Sequence, residues 1–351
     1  MSRSKLPEAA APPDASSRRF SRHAWILAGT ALALLALIAV SLALGRYSLP
    51  LSAWWHVLVS PEQSDAAEIV LLEVRLPRVI AAVVIGGGLS VSGAAFQGMF
   101  RNPMASPDML GAYAGSGFGA SLAILMGFGI VGIQAMGFIG GLAAVFLAWA
   151  ISFGASRFGA DANLTLILVG IVIREGCMAL VRLTEYVADP RGKLAAITFW
   201  LVGGLSAVTP RDVEYAAAPI FLGVAVMLLL RWRINLLSFG DDEARALGVN
   251  PWRLRVVLIF CAAMISAAVV SIGGMIMWVG LVIPHLARML VGADHKVLLP
   301  ASFLVGAFYL LLVDDCARGL FTLEVPLGIL TSIVGVPFFL YLLFRSRMMR
   351  A

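Results

Sequence analysis

Long apolar segments without charged residues alternate along the chain with short polar ones, and this pattern predicts membrane-spanning helices. A transmembrane helix needs about 20 predominantly apolar residues. We predict about ten spans, which cover 24–44, 79–100, two spans within 109–156, 164–183, 213–230, two spans within 256–290, 297–313 and 327–344. The predicted fold class is therefore an all-α polytopic membrane protein.

Glycines mark the turns inside the longest apolar segments. We predict one turn near 127–132 and another at Gly273-Gly274. Further small residues, such as those at 86–88 and Gly93, predict helices that approach one another closely in a tightly packed bundle.

The composition supports a membrane protein. Of the 351 residues, 60% are hydrophobic and 13% are charged. A soluble domain carries about 25% charged residues, so an ordinary soluble enzyme, a disordered protein and a nucleic-acid binder are excluded. Lys and Arg in such a chain report topology, because short cytoplasmic loops are enriched in them.

The distribution of basic residues predicts the orientation. With both termini in the cytoplasm, 17 of the 26 basic residues lie on the cytoplasmic side and eight lie outside. We predict a disordered cytoplasmic tail over 1–23, a transmembrane domain over 24–345 with a cytoplasmic loop over 231–255, and a cytoplasmic C-terminal tail over 346–351.

Motifs for covalent chemistry are missing from the sequence. The Gly-Lys pair at 192–193 is followed by Leu194 rather than Ser or Thr, so no phosphate-binding loop is present. Cys177, Cys261 and Cys316 are isolated, so neither a metal site nor a disulfide framework is predicted. We expect no catalytic residue, and no cofactor bound by this chain.

The loop over 231–255 has the signals of two short helices joined at an elbow. Acidic residues open the first helix, Gly248 ends it, and Asn250-Pro251 begin the second. A connection needs only about 4–6 residues, so we favour a partner-binding surface over a passive connector. The residues expected to form this surface are Asp241, Glu243, Ala246, Leu247, Gly248 and Val249.

Three arginines lie at the predicted outer ends of spans. Arg75 and Arg78 precede the second span, and Arg318 follows the ninth, close to Asp314 and Asp315. One interpretation is interfacial anchoring with local ion pairs. The other is a basic patch that receives the carboxylates of an external partner, because the guanidinium fork favours bidentate pairing.

Arg174 and Glu175 interrupt the fifth span. A charge at the bilayer centre costs at least about 2.5–3.5 kcal/mol, so it normally faces protein or a water-filled path. Adjacent residues on a helix diverge by about 100°, so we do not expect the two to share one face. A buried interhelical ion pair and a polar path lining are equally compatible with the sequence.

The loop from Arg101 to Asp108 interrupts the chain after the second span. Pro103 cannot continue a helix and moves Asn102 out of the helical region. Ser106 is the expected N-cap of the following segment. A well-capped turn is sufficient to explain this loop from physics alone.

Several short motifs follow one another along the chain. They are Arg75-Leu-Pro-Arg78, Gly93-x-x-x-Gln97, Arg101-Asn-Pro-Met-Ala-Ser-Pro-Asp-Met-Leu-Gly111, Phe199-Trp-Leu-Val-Gly203, Ala246-Leu-Gly248, Gly280-Leu-Val-Ile-Pro-His-Leu-Ala-Arg288, Asp294-His295, Asp314-x-x-x-Arg318 and Glu324-Val-Pro-Leu-Gly328 through Gly335-Val-Pro-Phe338. Together they resemble the FecCD-type permeases of ABC importers, which carry iron siderophores, haem or cobalamin. The resemblance extends over about residues 25–345.

The resemblance implies a type II ABC importer permease with ten helices in a bacterial inner membrane. Its implied partners are a second permease subunit, most simply in a homodimer, a cytoplasmic ABC ATPase dimer that uses ATP and Mg²⁺, and a periplasmic or surface substrate-binding protein. Membrane lipid surrounds the subunit, and no nucleic acid is involved.

The resemblance also implies roles for individual residues. It assigns a cytoplasmic gate to Asn102, Pro103 and Asn163, and ATPase coupling to the elbow over 241–251. It assigns docking of the binding protein to three arginines, which are Arg75, Arg78 and Arg318.

Three departures from the family pattern bear on the cargo. Met104 stands where Leu is usual, and Met-Ile-Met-Trp over 275–278 stands where the family more often has a run like Pro-Ile-Gly-Phe. Arg174-Glu175 occupies a part of the fifth span that is usually apolar and small, next to the path.

The predicted function is translocation of an iron chelate, such as a ferric siderophore or haem, or of a related metal compound, by alternating access. One alternative is cobalamin or a molybdate-type oxyanion carried by the same architecture. Two others are a proton-driven secondary transporter with Arg174-Glu175 as relay, and a membrane scaffold that only recruits partners.

Overall fold

The structure, a computed structural model, describes residues 15–45, 69–156, 162–319 and 323–348. Within these ranges the chain forms helices and no strand. The α-helices are α1 (Ala15–Ala43), α2 (Leu76–Phe100), α3 (Ala112–Met126), α4 (Ile130–Ser156), α5 (Ala162–Val187), α6 (Lys193–Val202), α7 (Pro210–Phe239), α8 (Asp241–Ala246), α9 (Pro251–Gly273), α10 (Val279–Val291), α11 (His295–Gly319) and α12 (Leu327–Met348). A π-helical turn (Val70–Arg75) leads into α2, and a 3₁₀ turn (Pro107–Leu110) precedes α3.

Each of the ten predicted spans corresponds to one of these helices. Among the described residues, seven helices are long and apolar enough to cross a membrane: α1, α2 with its π-helical turn, α4, α5, α7, α9 and α11. The other three, α3, α10 and α12, are shorter apolar helices. The turns predicted near 127–132 and at Gly273-Gly274 are confirmed, because α3 ends at Met126 and α9 ends at Gly273.

The predicted boundary of the N-terminal tail is corrected by α1, which begins at Ala15. Residues 15–23 are therefore helical rather than disordered, whereas 1–14 lie outside the described residues. Once an apolar segment forms a helix, each further residue adds a hydrogen bond at little cost. At the other end α12 continues to Met348, past the predicted boundary at 345.

The bundle is organised around α2. In its apolar stretch 89% of the residues are buried inside the chain, against 11% for α1, so α2 is central and α1 peripheral. Glycines allow this helix close contact with its neighbours. A Cβ at Gly93 would overlap the carbonyl of Gly280 in α10, and a Cβ at Gly86 would overlap the carbonyl of Gly306 in α11. The predicted close packing is thereby confirmed.

The loop over 274–278, between α9 and α10, contacts segments that are far from it in the sequence. The Gly204 N–H donates to the carbonyl of Gly273 at 2.9 Å, which joins the end of α6 to the start of this loop. A Cβ at Gly335 in α12 would collide with the ring of Trp278. The loop is thus held between the end of α6, which lies far before it in the sequence, and α12, which lies far after it.

Candidate functional site

At the end of the bundle opposite the elbow, arginines and carboxylates form a closed set of ion pairs. Arg78 Nε lies 3.0 Å from each carboxylate oxygen of Asp314, and Arg78 Nη1 lies 3.0 Å from Glu324 Oε2. Arg318 contacts Asp314 through Nε at 3.2 Å, and it also contacts Asp315. We call Arg75, Arg78, Asp314, Asp315, Arg318 and Glu324 the arginine–carboxylate cluster. Its three arginines balance its three carboxylates.

Arg75 belongs to this cluster by position and connects it to α1. Its Nη1 donates to the carbonyls of Leu42 and Ala43 at 2.8 and 3.0 Å. Carbonyls in the last turn of a helix lack intrahelical partners, so Arg75 satisfies two acceptors at the end of α1. The side chain therefore ties α1 to the beginning of α2.

The three arginines of the cluster are the residues predicted to dock the binding protein, and all three are largely buried. Arg75 is 4% exposed and Arg78 is 7% exposed, and the side chain of Arg318 is 11% exposed. In this conformation the guanidinium groups are buried and paired within the chain, and the docking role of Arg75, Arg78 and Arg318 stays a prediction. The geometry supports the other interpretation, local ion pairs at helix ends.

A cavity of ≈ 500 Å³ opens between α3, α5 and the loop that precedes α10. Five methionines line it: Met104, Met109, Met178, Met275 and Met277. Its other prominent wall residues are Ser106, Asp108, Tyr113, Arg174 and Trp278. We call it the methionine cavity.

The charged side chains at the methionine cavity pair with one another and are partly exposed. Arg174 Nε lies 3.4 Å from Glu175 Oε1, and Arg174 Nη1 lies 4.0 Å from Asp108 Oδ2. The Arg174 side chain is 44% exposed. The long side chains of Arg174 and Glu175 converge, although adjacent residues on a helix diverge by about 100°.

The ion pairs of Arg174 are partly exposed rather than buried within the bundle. Arg174 both forms ion pairs and lines the cavity, whereas Glu175 lies beside it and is not part of the described wall. Asp108 was not predicted as a site residue. The signal for it was its place in the loop motif, at the first turn of the 3₁₀ segment, but nothing local indicated a partner in α5.

The three departures from the family pattern meet at this one cavity. Met104 comes from the loop after α2, Arg174 from the middle of α5, and Met275, Met277 and Trp278 from the loop before α10. They are separated in the sequence but share a wall. Trp278 holds the left-handed conformation at φ 72°, which is uncommon for a residue with a bulky side chain.

The elbow joins two helices at a glycine, as predicted, but only the first is short, because the second is the long helix α9 (Pro251–Gly273). Gly248 adopts φ 80°, a conformation that glycine reaches without strain. Asn250 caps α9, since its side chain accepts from the N–H of Arg253 at 3.1 Å. Leu247 is 62% exposed, so the elbow presents an apolar side chain to its surroundings.

A bidentate ion pair holds the elbow against α9. Arg255 Nη1 and Nη2 lie 2.7 and 2.6 Å from the two carboxylate oxygens of Asp241. These hydrogen bonds lower the pKa of Asp241 below its usual value, in spite of the opposing effect of burial. Asp241 is therefore ionised at neutral pH, and α8 is fixed to the bundle by a charged contact.

The predicted gate residues occupy a tight turn on the elbow side of the methionine cavity. Asn102 Oδ1 accepts from the N–H of Met104 at 2.9 Å. Ser106 holds the predicted N-cap position before Pro107, but its side chain makes no capping hydrogen bond, and Asn102 orders the loop. Asn102 and Pro103 are exposed. Asn163 is the second residue of α5, and its side chain lies outside the described residues.

Among the described residues no group of three His, Cys, Asp or Glu side chains is arranged to hold a metal ion. Closely packed apolar helices around a cavity with polar and thioether walls, with a rigid elbow at one end, define a membrane transport protein.

The chain belongs to the FecCD transport family, which it matches over residues 33–345. It is 40% identical over 326 residues to the molybdate import system permease protein MolB of Haemophilus influenzae, covering 92% of this chain and 96% of the relative. It is also 40% identical over 324 residues to a protein of Helicobacter pylori named as an iron chelatin transport system permease, covering 90% and 97%.

A solved structure gives the same result. An inward-facing metal-chelate type ABC transporter matches with a TM-score of 0.82 and 41% identity, covering 91% of this chain and 99% of that chain. The family resemblance and the fold class are thereby confirmed. The chain is a multi-pass permease subunit of an ABC importer.

Proposed function

We propose that this permease imports a metal chelate, with an iron chelate as the principal candidate, and that the methionine cavity is its share of the translocation path. The observation that carries this proposal is the convergence of all three family departures on one wall. Residues that distinguish one importer from another are expected where the cargo passes. The rest of the fold follows the family.

The dimensions and chemistry of the cavity favour a chelate. Pockets for drug-sized ligands measure about 300–1,000 Å³, and the methionine cavity of one subunit measures ≈ 500 Å³. Thioether side chains adapt to irregular apolar shapes. A molybdate-type oxyanion is the second candidate, since Arg174 lies on the wall and a relative named for molybdate import is 40% identical.

Arg174 can replace its ion pairs within the chain by a contact with the cargo. Its ion pairs with Asp108 and Glu175, at 4.0 and 3.4 Å, are long and partly solvated, so they contribute little stability. A cargo with a carboxylate or other anionic group can replace them while the cavity is open. No covalent step is required of this chain.

The direction of transport would come from partner proteins. In the proposed assembly, two copies of this subunit enclose the path and a cytoplasmic ATPase dimer, using ATP and Mg²⁺, contacts the elbow at Leu247. Movement of the elbow opens or closes the loop at Asn102 and Pro103, together with Asn163, by alternating access. Both termini would then face the cytoplasm of a bacterium.

Docking of the external binding protein requires exposed cations. Arg182, Arg191 and Arg211 are exposed, and they are among the eight basic residues that the predicted topology places outside. We assign docking to these residues in place of the buried cluster. Acidic side chains of the binding protein would meet them at the rim of the path.

Reconstitution tests the proposed function. The permease is incorporated into liposomes together with the ATPase, and the binding protein is added. The uptake of ⁵⁵Fe-labelled chelates and of ⁹⁹Mo-molybdate is then measured. We expect ATP-dependent accumulation of an iron chelate. Uptake of molybdate alone would select the second candidate, and ATP-free uptake driven by a proton gradient would indicate a secondary transporter. The absence of accumulation would indicate a scaffold.

A further inference from the structure

A second cavity, of ≈ 790 Å³, lies at the elbow end of the bundle between the ends of α2, α7 and α10 and the start of α11. It contains parts of two motifs to which the transport function assigns no role, the one that ends at Arg288 and the pair Asp294-His295. Side chains of its wall that carry the argument are Arg101, Trp232, Asn235, Arg288, Asp294 and His295. We call it the basic cavity.

Arg288 is the central feature of the basic cavity. It lies in the last turn of α10 and is partly buried. Its guanidinium group forms no hydrogen bond or ion pair with any of the residues that the structure describes. A cation that is partly removed from water without a partner is costly, so an anion in the cavity would stabilise it. Arg101, exposed on the same wall, adds a second positive charge.

The carboxylate on this wall does not neutralise Arg288. Asp294 Oδ1 accepts from Asn235 Nδ2 at 2.6 Å and from the N–H of Lys296 at 2.9 Å. Burial acts to raise the pKa of Asp294, but these hydrogen bonds and the charge of Lys296 lower it on balance. Asp294 is therefore ionised and bound within its own turn. Two arginines face one carboxylate, which leaves the wall with a net positive charge.

The histidine on the wall is held as a structural group rather than as an anion ligand. Asn235 Oδ1 accepts from the N–H of His295 at 2.8 Å and lies 2.8 Å from its Nδ1. Asn235 thus holds His295 through both its backbone N–H and its ring. Nε2 packs against Gly98, where a Cβ would collide with it. The positive charge of the cavity therefore comes from its arginines.

The surroundings of the basic cavity are typical of a membrane surface. Trp232 is 54% exposed, and the Nζ of Lys296 lies 4.5 Å from the centre of its ring. Trp and Lys are frequent at the interface between lipid and water. Basic pockets between transmembrane helices on the cytoplasmic side bind the headgroups of anionic lipids.

We propose that the basic cavity binds a tetrahedral oxyanion of the phosphate type, with Arg288 as its principal ligand and Arg101 as the second. The anion is either the phosphate of an anionic lipid headgroup or a free oxyanion. The site is separate from the methionine cavity, and it does not depend on the identity of the cargo.

The test uses the full-length chain, purified and delipidated in a neutral detergent. Thermal unfolding is followed during titration with inorganic phosphate at constant ionic strength, and separately with phosphatidylglycerol against phosphatidylcholine in mixed micelles. We expect one of the two anions to raise the melting temperature. Stabilisation by phosphate identifies a free oxyanion, whereas stabilisation by phosphatidylglycerol alone identifies a headgroup.

Variants assign the effect to the site. Arg288→Gln should weaken the apparent affinity for the stabilising anion by about tenfold or more, since a charge-assisted hydrogen bond is lost. Without anion this variant should be at least as stable as the parent, because an unpaired charge has been removed. Arg233→Gln, on the same helix as Trp232 but outside the cavity wall, is the matched control. Arg101→Gln provides a second, exposed position if Arg288→Gln fails to fold.

The proposal is overturned if neither anion stabilises the protein, or if phosphatidylcholine stabilises it as well as phosphatidylglycerol does. It is also overturned if Arg288→Gln and Arg101→Gln respond to the anion as the parent protein does.

Discussion

Arg78 Nε lies 3.0 Å from both carboxylate oxygens of Asp314, across 236 positions of sequence. Asp314 is fully buried, and one of its oxygens also contacts Arg318. The pair joins α2 to α11 at the end of the bundle opposite the elbow. This carboxylate between two arginines connects the two helices through buried ion pairs.

We expect removal of the charge of Asp314, at the centre of the cluster, to lower the stability of the protein strongly. Asp314→Asn leaves buried arginines with an incomplete set of partners, so we expect a loss of about 3–5 kcal/mol of stability. Unfolding in detergent measures it. Arg211→Gln, an exposed position at the predicted outer side, should change stability by less than about 0.5 kcal/mol. Equal stability of the two variants would show that the cluster does not hold the helices together.

Docking of the binding protein should depend on exposed arginines. We expect Arg191→Glu combined with Arg211→Glu to weaken docking by about tenfold and to make the remaining affinity less sensitive to salt, because rim charges act through long-range attraction. Surface plasmon resonance with the reconstituted permease measures both effects. Unchanged affinity and salt dependence would remove these residues from the docking surface.

We expect the elbow to lose its coupling role when residue 248 cannot adopt a positive φ. Gly248→Pro fixes φ near −65° where the chain requires 80°, and it removes the hydrogen bond from the N–H of Gly248 to the carbonyl of Arg245. We expect normal insertion, with ATP hydrolysis no longer coupled to transport. The ratio of ATP hydrolysed to cargo imported measures this. Arg253→Gln is the control, and a normal ratio in Gly248→Pro would contradict the role of the elbow.

The close contacts of α2 predict that a methyl group destabilises the protein at a packed glycine and not at an open one. Gly93→Ala places a methyl group against the carbonyl of Gly280, whereas Gly154→Ala in α4 meets no atom within 4 Å. We expect Gly93→Ala to lower the melting temperature strongly. Gly154→Ala should leave it unchanged or raise it slightly, because alanine favours the helix by up to about 1 kcal/mol. A similar response of both variants would mean that the contact is not close in the protein.

The spans and the elbow could be predicted because their signals are local. Apolar length marks each span, and Gly248 and Asn250 mark the helix ends around the elbow. The 10-residue helix α6 was missed because it is shorter than a span.

Contacts between distant segments could not be predicted in the same way. The sequence places Arg78 and Arg318 at the same end of the bundle, as the structure does. The partner of Arg78 in α11 lies in another span, so a buried pair and an exposed patch could not be distinguished. The same holds for Met104, Arg174 and Met275, whose common wall depends on how α5 and two loops pack. Three unusual positions were recognised individually, and only the fold brings them together.

ATP-dependent uptake through the methionine cavity tests the central claim most directly. In liposomes with the partner ATPase and binding protein, the parent permease should accumulate a ⁵⁵Fe-labelled chelate only when ATP is present. Arg174→Gln should fold normally, because its ion pairs are partly exposed, yet it should change the uptake rate of that chelate several-fold. Uptake without ATP, or uptake by Arg174→Gln equal to that of the parent for every cargo tested, would contradict the account.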